Sequence, residues 1–142
     1  MIGYLDTSAV VPLIIEESGT PACRRFRDAA DAVVSCRLLY VETAAALAQA
    51  SRMNRISRSQ HTRGLSRLDD LWTEIEIIEI AQTLVEAAAD SAHRLALCGY
   101  DAVHCASAQQ LIAPDLVAAG GDRTLLDAWH ALGMATYDVN QT

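Results

Sequence analysis

The chain has no lysine: all eleven of its basic residues are arginines. This absence tells against one functional class at once. A phosphoacceptor signalling domain, also α/β with an acidic pocket, normally needs a lysine beside that pocket. Aromatic residues are scarce at 5% while alanine is abundant, which favours close-packed helices with small residues at their contacts. No stretch approaches the roughly 18 uninterrupted apolar residues of a membrane span. Residues 1–15 carry Asp6 and lack a basic leader, so they do not read as a signal peptide, and a cytoplasmic location without membrane attachment is expected. The four cysteines, Cys23, Cys36, Cys98 and Cys105, show no CxxC or zinc-ligand spacing and read as buried free thiols. His61, His93, His104 and His130 likewise lack ligand spacing and read as structural or solvated. No Gly-rich phosphate loop, GxSxG or Cys/His pairing is present. Triphosphate binding through such a loop and acyl transfer are therefore set aside.

What is present fits a single domain over residues 1–142, with 51% hydrophobic residues and a real core. The formal net charge of −7 argues mildly against a nucleic-acid binder. Its distribution matters more. Arg52, Arg55, Arg58, Arg63 and Arg67 fall in one segment with no acid until Asp69. A basic patch on an acidic protein steers polyanions. A solvated helix pair, or a surface for an acidic partner, accounts for it equally.

Short β-branched runs alternate with longer amphipathic segments. Ile2–Leu5 reads as a central strand ending at Asp6, and Thr7–Ile15 as a helix with Pro12 near its first turn. A helix follows at Thr20–Ala30, capped by Thr20 with Pro21 at its first position. Strands are expected at Ala32–Ser35, Glu76–Ile80, Leu116–Ala119 and Met134–Tyr137. Further helices are expected at Arg37–Met53, Ser57–Trp72, Gln82–Leu97, Asp101–Ile112 and Asp122–Leu132. In Gln82–Leu97, Leu84, Val85, Ala88, Ala92, Leu95 and Ala96 form the predicted buried stripe, and Gly99 ends the helix. Strands separated by helices imply right-handed crossovers. The predicted fold is a three-layer α/β/α domain with a central, mainly parallel sheet of four to five short strands.

Acids cluster at the carboxyl ends of these strands, where open α/β sheets bind ligands. Asp6 ends the first strand, and Asp122 follows Gly120-Gly121, which let the chain bend tightly. Each also reads as a plain helix cap. Glu42 has apolar neighbours at Leu38, Leu39, Ala45 and Ala46, so it points along a buried stripe. A carboxylate there needs a partner or a shifted pKa. Asp101 sits in the first turn of its helix, as ligand or as cap. Four carboxylates on one edge repel, and a divalent cation resolves the repulsion. Oxygen donors without His or Cys suit Mg²⁺ or Mn²⁺ rather than zinc. Such ions act mostly on phosphates.

Four ordered motifs carry a family resemblance: Tyr4-Leu5-Asp6-Thr7-Ser8, Val41-Glu42-Thr43, Gly99-Tyr100-Asp101-Ala102-Val103-His104 with Ala106, and Gly121-Asp122 with Leu126, Ala131 and Gly133. Together they span nearly the whole chain, which resembles a PIN domain and, within that family, the VapC-type toxins of bacterial toxin–antitoxin pairs. The resemblance implies that Asp6, Glu42, Asp101 and Asp122 hold Mg²⁺ or Mn²⁺. It implies that Thr7 or Ser8 helps place water or metal. It implies an endoribonuclease that hydrolyses RNA by metal-activated water, a VapB-type antitoxin as inhibitor, and a homodimer. Ala119-Gly120-Gly121 departs from the threonine usual before the last acid, so Asp127 is a substitute or support for Asp122. On this reading Arg52–Arg67 tracks RNA beside the pocket, or forms the dimer or antitoxin interface. A non-catalytic PIN-like binding module and a DNA nuclease of the same chemistry are the alternatives.

Overall fold

The computed structural model describes residues 1–111 and 113–141. Its elements in chain order are β1 (Ile2–Leu5), α1 (Thr7–Ile14), α2 (Thr20–Ala29), β2 (Ala32–Cys36), α3 (Leu39–Arg52) and α4 (Arg58–Glu74). They continue with β3 (Glu76–Ile78), α5 (Gln82–Leu95), α6 (Gly99–Gln110), β4 (Leu116–Gly120), α7 (Arg123–Ala131) and β5 (Ala135–Asp138). The end of the predicted helix Asp101–Ile112 reaches Ile112, which lies outside the described residues.

The strands form one sheet in the order β3-β2-β1-β4-β5, and every pairing is parallel. The central strand β1 pairs Tyr4 with Val34 on one side and Ala118 on the other. Successive residues of a strand face opposite sides of the sheet. Tyr4 and Ala118 therefore join a core with Leu84, Cys105, Leu125 and Trp129 of α5, α6 and α7. Leu5 and Ala119 join a second core with Val10, Phe26, Leu39 and Leu71 of α1–α4. The three-layer expectation holds, with one core on each face.

Gly3 is the point of closest approach between β1 and its covering helix. A Cβ there would lie 2.8 Å from Phe26 Cε1, so only glycine lets the Phe26 ring sit on the strand. In α4, Ser57 accepts from the Gln60 backbone N–H at 3.0 Å, and Gln60 Oε1 accepts from the Ser57 N–H at 2.7 Å. This reciprocal cap fixes the helix start read from the sequence.

Several local expectations are corrected. Gly99 does not end α5; it opens α6, and Ala96 makes the left-handed turn with φ 53°. The Gly99 signal was real punctuation, but three residues late for the α5 terminus. Within α5, Val85 and Ala96 are exposed, and Ser91 takes a place in the buried stripe with Leu84 and Ala88. Pro12 lies in the second turn of α1, not the first. It therefore withholds an N–H from the Ser8 carbonyl. Gly19, not Thr20, occupies the cap position of α2. The Thr20 hydroxyl instead donates to the Pro12 carbonyl at 2.6 Å, tying α2 back onto α1. Cys98 is exposed, whereas Cys23, Cys36 and Cys105 are buried and all four are free.

Candidate functional site

In the observed strand order, the chain moves outward from β1 through β2 to β3, and from β4 to β5 on the other side. The direction reverses between β1 and β4. That reversal opens a crevice at the carboxyl edge, the usual ligand position in such sheets. Asp6 leaves β1 and Asp122 follows β4, so both border the crevice.

Asp6 is buried and its backbone N–H donates to the Ala119 carbonyl at 3.0 Å, locking β1 to β4 at this point. Its side chain caps α1. Oδ2 accepts from the Ser8 N–H at 3.3 Å and from the Ser8 hydroxyl at 2.5 Å. The Ser8 oxygen in turn accepts from the Gly121 N–H at 2.7 Å. Ser8 therefore ties Asp6 to the loop that carries Asp122. That use of both its lone pair and its proton differs from the water-placing role expected of Thr7 or Ser8. Thr7 Oγ1 lies 3.5 Å from His104 Nε2, at the outer limit of a hydrogen bond.

Glu42 stands in the first turn of α3, flanking the buried stripe of Leu39, Thr43 and Leu47 rather than lying in it. Ala45, assigned to that stripe from the sequence, is exposed. The partner that burial demanded of Glu42 is His104, whose Nε2 donates to Glu42 Oε1 at 2.6 Å. The same Nε2 lies 3.6 Å from Asp6 Oδ1. On the other ring nitrogen, Nδ1 meets Tyr4 Oη at 2.8 Å and Cys36 Sγ at 3.7 Å. His104 is fully buried. Burial disfavours the imidazolium, but hydrogen bonds with Cys36 and Glu42 and the Asp6 charge outweigh it and raise its pKa well above the ordinary histidine value. His104 is thus an internal cation among the acids. It is the site residue that sequence reasoning missed. It stands within a motif quoted above, three residues after Asp101 on α6, but the contacts that define it come from β1, β2 and α3.

Asp101 occupies the first turn of α6 and does not cap it. Its Oδ2 accepts from the Cys98 thiol at 3.2 Å. Burial raises its pKa, and the charges of Asp122 and Asp6 push the same way, against Cys98 and His104. Asp101 therefore feels both Asp122 and Asp6 across the crevice. Asp122 caps α7 through one oxygen, with Oδ1 accepting from Thr124 N–H at 2.9 Å and Leu125 N–H at 3.4 Å. The cap reading of Asp122 and Asp6 is correct, but it occupies only part of each carboxylate.

The glycines before Asp122 serve another purpose than the sharp bend expected of them. Neither has a positive φ. Gly120 is the last residue of β4, and a Cβ there would lie 3.4 Å from the Asp6 Cβ. A Cβ on Gly121 would lie 2.9 Å from Asn140 Nδ2. Gly121 clears room for a neighbour rather than supplying a turn, whereas a Cβ on Gly120 would make only ordinary contact.

Asp127 lies apart. It is exposed on α7, 3.8 Å from Arg123 Nη1, and lines a separate cavity of about 260 Å³ with His130, Thr136 and Asp138. Of the arginine segment, Arg52 ends α3 and Arg58 opens α4, both exposed. Arg55 pairs with Glu17 at 3.3 Å, and Arg63 donates to Ser59 Oγ at 2.6 Å. Arg63 and Arg67 line a cleft of about 270 Å³ with Ile14, Glu16, Ile56 and Gly64. The segment is free of acids in sequence but not in space, because Glu16 and Glu17 from the connection after α1 face it.

Among the described residues no three His, Cys, Asp or Glu side chains stand together at metal-ligand spacing. The fit to a divalent cation rests on charge and donor type. Four carboxylates edge the crevice, and among the described residues no arginine lies within 4 Å of any of them. His104 neutralises one charge and leaves the others uncompensated. All-oxygen donors of that charge suit Mg²⁺ or Mn²⁺.

The sequence profile described as PIN domain matches residues 3–123. Ribonuclease VapC45 of Mycobacterium tuberculosis (strain CDC 1551 / Oshkosh) is 38% identical over 130 residues, covering 92% of this chain and 90% of that protein. The structure of FitAcB from Neisseria gonorrhoeae matches all of both chains with a TM-score of 0.74 at 15% identity. A toxin–antitoxin complex from Klebsiella pneumoniae matches with a TM-score of 0.68 at 13% identity, covering 99% of each chain.

Proposed function

The chain belongs to the PIN domain family, and from that premise we propose that it is a Mg²⁺- or Mn²⁺-dependent endoribonuclease, the toxin of a toxin–antitoxin pair. It acts in the cytoplasm as a homodimer restrained by a VapB-type antitoxin. The observation that carries the chemistry is the crevice at the β1/β4 reversal, edged by Asp6, Glu42, Asp101 and Asp122 with His104 as the sole internal cation among the described residues. The relative at 38% identity is named a ribonuclease, which supports RNA over DNA as substrate. The shared fold of the Klebsiella toxin–antitoxin complex supports the antitoxin partner.

In this reading Asp6, Asp101 and Asp122 would hold the ion, with Glu42 of α3 as a further carboxylate at the same edge. Bound there, a divalent cation neutralises charge on the phosphoryl oxygens and lowers the pKa of a water. The remaining work falls to the chain. Ser8 fixes Asp6 Oδ2 against rotation. His104 holds Glu42 by Oε1, leaving Oε2 to accept a proton from the attacking water. Tyr4 fixes the opposite edge of the His104 ring from inside the core. Hydrolysis then leaves a 5′-phosphate and a 3′-hydroxyl.

The test is cleavage of structured RNA and of matched single-stranded DNA, with Mn²⁺ and with EDTA, by wild type and Asp6→Asn. RNA cleavage that requires Mn²⁺ and vanishes in Asp6→Asn is expected. Cleavage of DNA alone, or tight RNA binding without turnover, overturns it.

A further inference from the structure

Asp122 is the last acid to reach the crevice, and its side chain is turned toward the start of α7, which it caps. The loop that carries it, Gly120 to Asp122, is gripped from two directions. From α1, the Ser8 hydroxyl accepts a hydrogen bond from the Gly121 N–H and donates one to Asp6 Oδ2. From beyond β5, Asn140 Nδ2 donates to the Gly121 carbonyl at 3.0 Å. That carbonyl belongs to the peptide whose nitrogen is Asp122's own.

Asn140 is itself held. Its N–H donates to Asp138 Oδ1 at 2.9 Å, while Asp138 Oδ2 accepts from Arg123, the residue after Asp122, at 2.7 Å. Val139 N–H donates to the Gly120 carbonyl at 3.0 Å. The amide fits because position 121 lacks a Cβ, which would stand 2.9 Å from Nδ2. A continuous line of hydrogen bonds thus runs Asn140, Gly121, Ser8, Asp6.

We propose that Asn140 is a positioning residue: through the Gly121 carbonyl it sets Asp122 relative to Asp6 and thereby tunes the affinity of the crevice for its divalent cation. Asn140 touches neither acid. Outer groups that orient ligands typically change metal affinity or activity by about 10- to 100-fold when removed. The proposal rests on the reading of Asp6 and Asp122 as metal-holding residues, and the experiment separates the two.

Mn²⁺ binding is measured by water-proton relaxation on the full chain, alongside metal-free thermal melting and RNA cleavage as a function of Mn²⁺. The proteins are wild type, Asn140→Ala, Asn140→Asp and Asp6→Asn. Asn140→Ala is expected to weaken Mn²⁺ by roughly 10-fold, with its metal-free melting temperature close to wild type and cleavage restored by added Mn²⁺. Asn140→Asp keeps the shape but cannot donate to Gly121. An added charge acting at long range would tighten Mn²⁺; loss of the donor weakens it, which is the expected result. This isosteric variant also carries the test should Asn140→Ala fail to fold. Equal Mn²⁺ affinity in wild type and both Asn140 variants overturns the positioning role, as does a drop in melting temperature without a change in affinity. Equal Mn²⁺ binding in wild type and Asp6→Asn overturns the metal reading itself, and the positioning role with it.

Discussion

His104 changes what a carboxylate substitution does at this edge. From the sequence, the acids appear only to repel, so that neutralising one should relieve the fold. With His104 fully buried and 2.6 Å from Glu42, Glu42→Gln instead removes a negative charge that pairs with a buried imidazole. Leaving a buried polar group without its partner costs about 1–3 kcal/mol, and more when the group is charged. Glu42→Gln should therefore lose RNA cleavage and also unfold at lower denaturant. Asp101→Asn, whose acid is pushed up by burial and by Asp122 and Asp6, should leave the metal-free protein as stable as wild type or more so. Parallel urea titrations check the contrast; equal midpoints for Glu42→Gln and wild type refute the pairing. The cysteines give a second test at this scale. Burial pushes Cys23 and Cys105 up to about 11, and Cys36 is fully buried, while Cys98 is exposed. Only thiolates that reagents reach react quickly. The native protein should release a single equivalent of chromophore from Ellman's reagent in the fast phase, and the rest only on unfolding. Cys98→Ser should abolish that phase.

Among the elements, the α3–α4 pair shows what local reading delivers and where it stops. The helix start at Ser57 was legible, so α4 begins where expected, and the structure adds the capping box with Gln60 that fixes it. The acid-free look of the arginine run was not a reliable guide, because Glu17 reaches Arg55 from the connection after α1, thirty-eight residues upstream. Arg58 and Arg63, which carry no acidic partner among the described residues, are the better probes of substrate attraction. Replacing both by Gln should raise the KM for RNA and flatten its salt dependence, with little change in kcat, since exposed charges act at long range and are screened. Steady-state cleavage at low and moderate salt measures this. A fall in kcat at unchanged KM would place an arginine at the scissile phosphate. Loss of antitoxin binding with unaltered kinetics would assign the pair to a protein interface. Arg55 is a useful control: its exposed ion pair contributes at most about 1 kcal/mol.

For the whole molecule, alternation of short apolar runs with amphipathic segments was enough to give a parallel sheet between two helical layers. Periodicity reports the face a residue takes within its own element. It carries no information on which strands are neighbours, so the β3-β2-β1-β4-β5 order lay beyond it. The acids could be read because each stands at an element boundary, where carboxylates are unusual unless capping or binding. The links among them could not. Tyr4 meets His104 across 100 positions, and Gly121 meets Ser8 across 113. Both contacts depend on β1 lying between β2 and β4.

That central place of β1 also sets a timetable. Asp6 is made well before the rest of the site, because its neighbours on β4 and α7 follow more than a hundred residues later. At about 5–20 residues per second, the interval from Asp6 to Asp122 is roughly 6–23 s of synthesis. Throughout it the ribosome carries a chain whose acids are present but unassembled. The four carboxylates come to share one edge only after β4 and the start of α7 have been made.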